Sequence, residues 1–136
     1  MNKMQEQVLE FHKAFGVAIA EKPTMPSLEV RALRMSLIRE EVEELAEAFR
    51  TGDLIAAADA LADIKYVVLG TNVTMGLDAE KFFDEVHRSN MTKVWDDGTV
   101  HYRDDGKVLK PPTYSPANIA GILSVDSIPE GELKNL

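Results

Sequence analysis

Ile38-Arg39-Glu40-Glu41-Val42-Glu43-Glu44-Leu45-Ala46-Glu47-Ala48 carries five carboxylates in eight positions, inside a segment whose apolar residues recur at helical spacing. At about 100° per residue, Leu33, Leu37, Ile38, Val42, Leu45, Ala48 and Phe49 share one arc of a helix. Glu41 and Glu44 fall inside that arc. Glu40 sits at its edge near Glu47, and Glu43 points away to water. An acid on an apolar face is costly unless something neutralises it. The function is to be sought in that conflict.

Working outward, Thr51-Gly52-Asp53 closes this helix, with Gly52 suited to the C-terminal turn and Asp53 to capping the next. Leu54 to Met75 reads as a helix that is apolar nearly all round, as expected for the buried centre of a bundle. Asp59 and Asp63 interrupt it at i, i+4 and share a face with Tyr66 and Gly70. Upstream, Val8, Phe11, Phe15 and Ala18 predict a first helix over residues 3–20. Pro23 and Pro26 then break the chain, and Ser27 caps the acidic helix, which runs to Arg50. Downstream of Gly76, Asp78 opens a fourth helix through Phe82, Phe83, Val86 and Met91 that ends near Trp95. Connections this short favour antiparallel neighbours.

Thr99-Val100-His101-Tyr102 and Lys107-Val108-Leu109 flank Asp104-Asp105-Gly106, a pattern for a small hairpin or an ordered loop. Ser115 followed by Pro116 predicts the start of a short helix through Leu123. The expected fold is all-α: a four- to five-helix antiparallel bundle with an irregular C-terminal segment. One helical domain is expected over 1–123, its core helices at 3–95, with a tail over 124–136.

With 136 residues the chain can bury a sizeable core, and its formal net charge of -8 argues against a nucleic-acid partner. It has no cysteine, so any metal is held by oxygen or His. No signal-peptide core precedes the first helix and no apolar run reaches membrane-spanning length. The expectation is a cytoplasmic protein without a membrane partner.

If the second and third helices lie side by side, Glu41 and Glu44 face Asp59 and Asp63 across a narrow gap. At 4 Å and an effective dielectric near 20, each like-charged pair costs about 4 kcal/mol. Either some acids take up protons or divalent cations bind. Oxygen-only ligands suit Mg²⁺ or Mn²⁺, and Mg²⁺ usually engages a substrate phosphate as well. Glu-rich helix segments are more often plain solvated faces. That reading suits Glu43 and Glu47. It suits Glu41, Glu44, Asp59 and Asp63 poorly, because their neighbours are apolar.

These residues resemble the MazG-like all-α NTP pyrophosphatase superfamily, in the branch related to dimeric dUTPases and phosphoribosyl-ATP pyrophosphohydrolases. Glu41-Val42-Glu43-Glu44 matches its Glu-x-x-Glu motif, and a second acidic motif follows in the next helix. Leu9-Glu10-Phe11-His12-Lys13-Ala14-Phe15-Gly16 is similar to the first helix of that branch. Glu85-Val86-His87-Arg88-Ser89-Asn90-Met91-Thr92-Lys93 is similar to its substrate-binding fourth helix, and Asp105-Gly106-Lys107-Val108-Leu109-Lys110-Pro111 to its C-terminal loop. The match spans residues 5–123. Several motifs in the right order make the signal specific.

The resemblance implies a homodimer or homotetramer. It implies Mg²⁺- or Mn²⁺-dependent cleavage of a nucleoside triphosphate to monophosphate and pyrophosphate, as nucleotide-pool house-cleaning. By position, Glu41, Glu44 and Asp63 are implied metal ligands and Glu40 the residue that handles the attacking water. The family's second motif is usually Glu-x-x-Asp; here Ala60 stands three before Asp63, and the acid is one place earlier at Asp59. On a helix, i−4 and i−3 share a side, so Asp59 is kept as a fourth candidate ligand.

Lys93 and Lys110 are candidates to meet the triphosphate, and Asn90 resembles a nucleotide-binding residue of the family. Tyr66 and His12 are candidates to touch the base, although aromatic residues at such spacing are more often core. Two rivals stand beside this reading. One is a phosphoribosyl-ATP pyrophosphohydrolase-like enzyme. The other is a non-catalytic helical module that binds nucleotides or a protein partner.

Overall fold

Capping side chains set most of the helix limits. The structure is a computed structural model and describes residues 1–126. Asn2 Oδ1 accepts from Gln5 N at 3.0 Å and starts α1 (Lys3–Phe15). Ser27 Oγ accepts from Val30 N at 3.3 Å and starts α2 (Leu28–Thr51). Asp53 Oδ1 accepts from Ala56 N at 3.0 Å and starts α3 (Leu54–Met75). Each cap occupies an N–H that the first helical turn would leave unpaired. Then follow α4 (Ala79–Met91), β1 (His101–Tyr102), β2 (Val108–Leu109) and α5 (Ile119–Asp126). The fold is all-α apart from that short hairpin. No helix among the described residues is long and apolar enough to cross a membrane.

Three boundaries differ from the sequence expectation. The first helix stops at Phe15, not at residue 20, because Gly16 turns left-handed at φ 69° and its N–H closes on His12 O. The chain then returns along α3, with Ala20 N donating to Val73 O and Thr74 Oγ1 to Ala18 O. The fourth helix ends at Met91, not near Trp95, and single turns carry the chain to Gly98. The last helix starts at Ile119 rather than at Pro116, capped by Asn118 Oδ1 on Gly121 N at 3.0 Å. Of the expected tail, 124–126 belong to α5 and 127–136 lie outside the described residues.

The chain divides into two compact units, Met1–Ala79 and a second from Glu80 onward. In the first, α1 and α2 both pack on α3. The buried apolar residues are small: Val8, Ala48, Ala57, Ala60 and Val73. Gln5 is buried and ties the ends of the unit together, donating to Leu77 O and accepting from Ala79 N. The expectation of α3 as a buried centre holds only on the sides that α1 and α2 cover. Leu54 and Ile55 are 83% and 85% exposed, and Leu61 and Val68 are also open.

In the second unit, the hairpin pairs His101 with Leu109 and Tyr102 with Val108. Trp95 stacks on His101 with centroids 4.2 Å apart and donates its indole N–H to Leu109 O. Arg88 pairs with Glu85 and donates to Ser115 Oγ and Pro116 O. Thr92 Oγ1 accepts from Ser115 N at 2.9 Å. The loop before α5 is thereby bolted to the C-terminal end of α4. These bonds occupy Ser115 and Pro116, the pair expected to open the helix.

Candidate active site

Antiparallel packing of α2 on α3 brings Glu41, Glu44 and Asp63 together. Each offers one carboxylate oxygen, and these oxygens lie within 4.8 Å of one another. Glu41 and Asp63 are half-buried and Glu44 is exposed. Glu41 Oε2 is buried and accepts no hydrogen bond. Desolvation holds the Glu41 carboxyl above the ordinary carboxylate range, and the neighbouring Glu44 carboxyl and the charges of Asp63 and Glu40 add to it. Ionised carboxylates only accept, so three of them cannot satisfy one another. The group needs a proton or a cation. A buried oxygen without a donor, in an all-oxygen set with no thiolate or imidazole, fits a hard divalent ion such as Mg²⁺ or Mn²⁺.

Glu40 lies beside the group, exposed, and its charge is felt at Glu41. Asp59 is exposed and stands outside the three-carboxylate group, while Ala60, three residues before Asp63, is buried. Tyr66 stands edge-on to Phe11 with centroids 5.7 Å apart, and Phe11 stacks on Phe15 at 4.4 Å. Tyr66 and both phenylalanines are exposed. His12 is not open: it is 3% exposed and its Nδ1 is bonded to Ala18 O at 3.1 Å. Burial, partly offset by that bond, lowers its pKa, and Arg34 lowers it further.

In the second unit, Asn90 and Lys110 are exposed and Lys93 is half-buried. Tyr114 joins the two lysines, and sequence reasoning missed it. Ser89 Oγ donates to Tyr114 Oη at 3.5 Å, and Lys110 Nζ lies 4.7 Å from the centre of its ring. The Ser89 hydroxyl, then the charges of Lys110, Lys93 and Arg88, lower the phenol's pKa. A hydroxyl among cations is a donor set for an anion. The signal was present in Lys110-Pro111-Pro112-Thr113-Tyr114, where a stiff Pro-Pro step fixes an aromatic residue close after the lysine. Arg34 was also missed; a lone arginine in an apolar stripe reads as a solvated end, yet it is 7% exposed.

A family model described as phosphoribosyl-ATP pyrophosphohydrolase matches residues 8–90. That span holds the three clustered carboxylates, Tyr66, His12 and Asn90. No curated protein matches the chain.

Proposed function

The chain belongs to the phosphoribosyl-ATP pyrophosphohydrolase family, within the MazG-like all-α NTP pyrophosphatase superfamily, and on that premise we propose that it hydrolyses (d)NTPs to (d)NMPs and pyrophosphate. The proposed role is nucleotide-pool house-cleaning in the cytoplasm. One observation carries the reading: Glu41 Oε2, buried and without a donor, inside a group of three converging carboxylates.

Glu41, Glu44 and Asp63 would hold the divalent cation, and Asp59, one helical turn before Asp63 on α3, is a further candidate to reach it through water. A bound Mg²⁺ or Mn²⁺ neutralises phosphate oxygens and makes water at the site more acidic. Glu40 orients that water and takes its proton. The water oxygen bonds to the α-phosphorus, the bridging bond between the α- and β-phosphates breaks, and pyrophosphate carries away the electron pair. Within the second unit, Lys93, Lys110 and the Tyr114 hydroxyl form a donor set suited to phosphate. In the first unit Tyr66 flanks the base, edge-on to Phe11, with the His12 ring beside Phe11; in the second, Asn90 is the candidate to hydrogen-bond a nucleotide.

The description of the matching family favours a second reading, in which the substrate is phosphoribosyl-ATP and the bond broken is of the same class. Initial rates on dNTPs, NTPs and phosphoribosyl-ATP with Mg²⁺ separate the two. The first reading expects kcat/KM at least about tenfold higher on one of the simple triphosphates. Preference for phosphoribosyl-ATP moves the assignment to the second. No turnover of any of them, with cation binding intact, leaves a binding module. On the preferred substrate, Tyr114→Phe is expected to raise KM about threefold to tenfold with kcat nearly unchanged, since it removes one donor hydroxyl and keeps the ring. A fall in kcat at unchanged KM would remove Tyr114 from the phosphate-binding set.

A further inference from the structure

The fully buried apolar residues of α2 and α3 are small, Ala48 on α2 and Ala57, Ala60 and Val73 on α3, and alanines offer little ridge to fix one helix lengthwise against another. Mutual repulsion of Glu41, Glu44 and Asp63 works against close approach of these two helices. Among the described residues, only two side-chain hydrogen bonds cross from α2 to α3, and both come from Arg34. Its Nε donates to Thr71 Oγ1 at 3.1 Å and its Nη2 to Val67 O at 2.8 Å.

Arg34 is buried, and among the described residues it forms no ion pair with a carboxylate. Burial lowers even its pKa. A buried cation held only by a carbonyl and a hydroxyl is a poor source of net stability. Its place is made by Gly70: a Cβ there would lie 2.5 Å from Arg34 Nη2 and 3.0 Å from His12 Nε2. Arg34 precedes Glu41 by seven residues and Gly70 follows Asp63 by seven. In an antiparallel pair these separations match, about 10 Å along each helix. With Arg34 level with Gly70, Glu41 is level with Asp63.

We infer that Arg34, seated in the space left by Gly70, is the positioning residue that fixes α2 against α3 and so sets the Glu41–Asp63 separation of the cation site. The planar guanidinium reaches two acceptors one turn apart on α3, so sliding α2 by a turn breaks both bonds at once. This deepens the proposed function and rests on its cation site.

The test is Mn²⁺ affinity, read from the paramagnetic resonance of the free ion, alongside unfolding midpoints for the same proteins. Arg34→Met keeps an unbranched chain and removes the fork and the charge. It is expected to weaken Mn²⁺ binding about tenfold or more, the range for lost support around a metal ligand, with little loss of stability. Gly70→Ala is expected to do the same in the wild-type background and clearly less in Arg34→Met, because the closest clash, at 2.5 Å, is with the guanidinium and only the 3.0 Å contact with His12 Nε2 remains. Arg34→Lys, able to reach one acceptor, is expected between wild type and Arg34→Met. Unchanged Mn²⁺ affinity in Arg34→Met, whatever its stability, overturns the inference. So does a Gly70→Ala effect of equal size in both backgrounds. Absence of Mn²⁺ binding by the wild-type protein overturns the inference together with the cation site itself.

Discussion

Glu41 holds a buried carboxylate oxygen that no donor reaches, and its carboxyl is held above the ordinary carboxylate range by desolvation first and its acidic neighbours second. The folded metal-free protein therefore binds more protons than the unfolded chain between the ordinary and the raised pKa. Across that window the contribution of Glu41 to stability falls as pH rises. Glu47, Glu85, Asp97 and Asp105, whose pKa values are lowered, act in the opposite sense. They are common to wild type and Glu41→Gln and cancel in the comparison. Without metal, Glu41→Gln should melt higher than wild type near pH ~7, and the gap should close toward pH ~4 as Glu41 protonates. A gap that ignores pH would mean the repulsion is not felt. With Mg²⁺ present, Glu41→Gln and Glu44→Gln should each lower turnover by about 100-fold or more while circular dichroism stays unchanged. Loss of helical signal would make these acids structural.

At the scale of the element, the limits of α2 and α3 were legible because caps are local: Ser27, Gly52, Asp53 and Gly76 stand where the helices start and stop. The end of α1 was not, since Val17, Ala18 and Ile19 continue the apolar pattern past Gly16 while Ala18 O accepts from Thr74 and Ala20 N donates to Val73 O on α3. Tertiary pairing outweighed periodicity there. Glycines at two helix ends separate local strain from packing. Gly52 has φ 68° with nothing within 4 Å of a would-be Cβ, so Gly52→Ala should cost only the left-handed strain, about 1–2 kcal/mol. Gly76 has φ 69° and its Cβ would overlap the Lys22 carbonyl, so Gly76→Ala should cost about 1–3 kcal/mol more. Denaturant midpoints check both; equal costs would show that the segment around Lys22 yields freely.

Across the whole molecule, the acids were legible and their sorting was not. Sequence spacing placed Glu41, Glu44, Asp59 and Asp63 in one gap; in the structure three converge while Asp59 stays exposed. A helical wheel gives direction but not how far α2 stands from α3, and it cannot tell i−4 from i−3 at that distance. Tyr114 had a local signal in the Lys110-Pro111-Pro112 step, but its pairing with Ser89 was not legible, because the two meet only through the folding of the second unit. The wheel also marked Leu33, Val42 and Phe49 as core, yet all three are exposed, as are Phe15, Leu54 and Ile55. So much uncovered apolar side chain beside so small a core is what the proposed homo-oligomer would cover. Light scattering on the purified chain should give a homodimer or homotetramer at micromolar concentration. A monomer would leave these residues without a physical account.

The central claim is that the carboxylate group directs water at the α-phosphorus of a triphosphate. Turnover of the preferred substrate in oxygen-18 water with Mg²⁺, followed by phosphorus NMR of the products, tests it directly. The account predicts monophosphate carrying the label and pyrophosphate without it. Label in pyrophosphate, or release of orthophosphate in place of pyrophosphate, would contradict it.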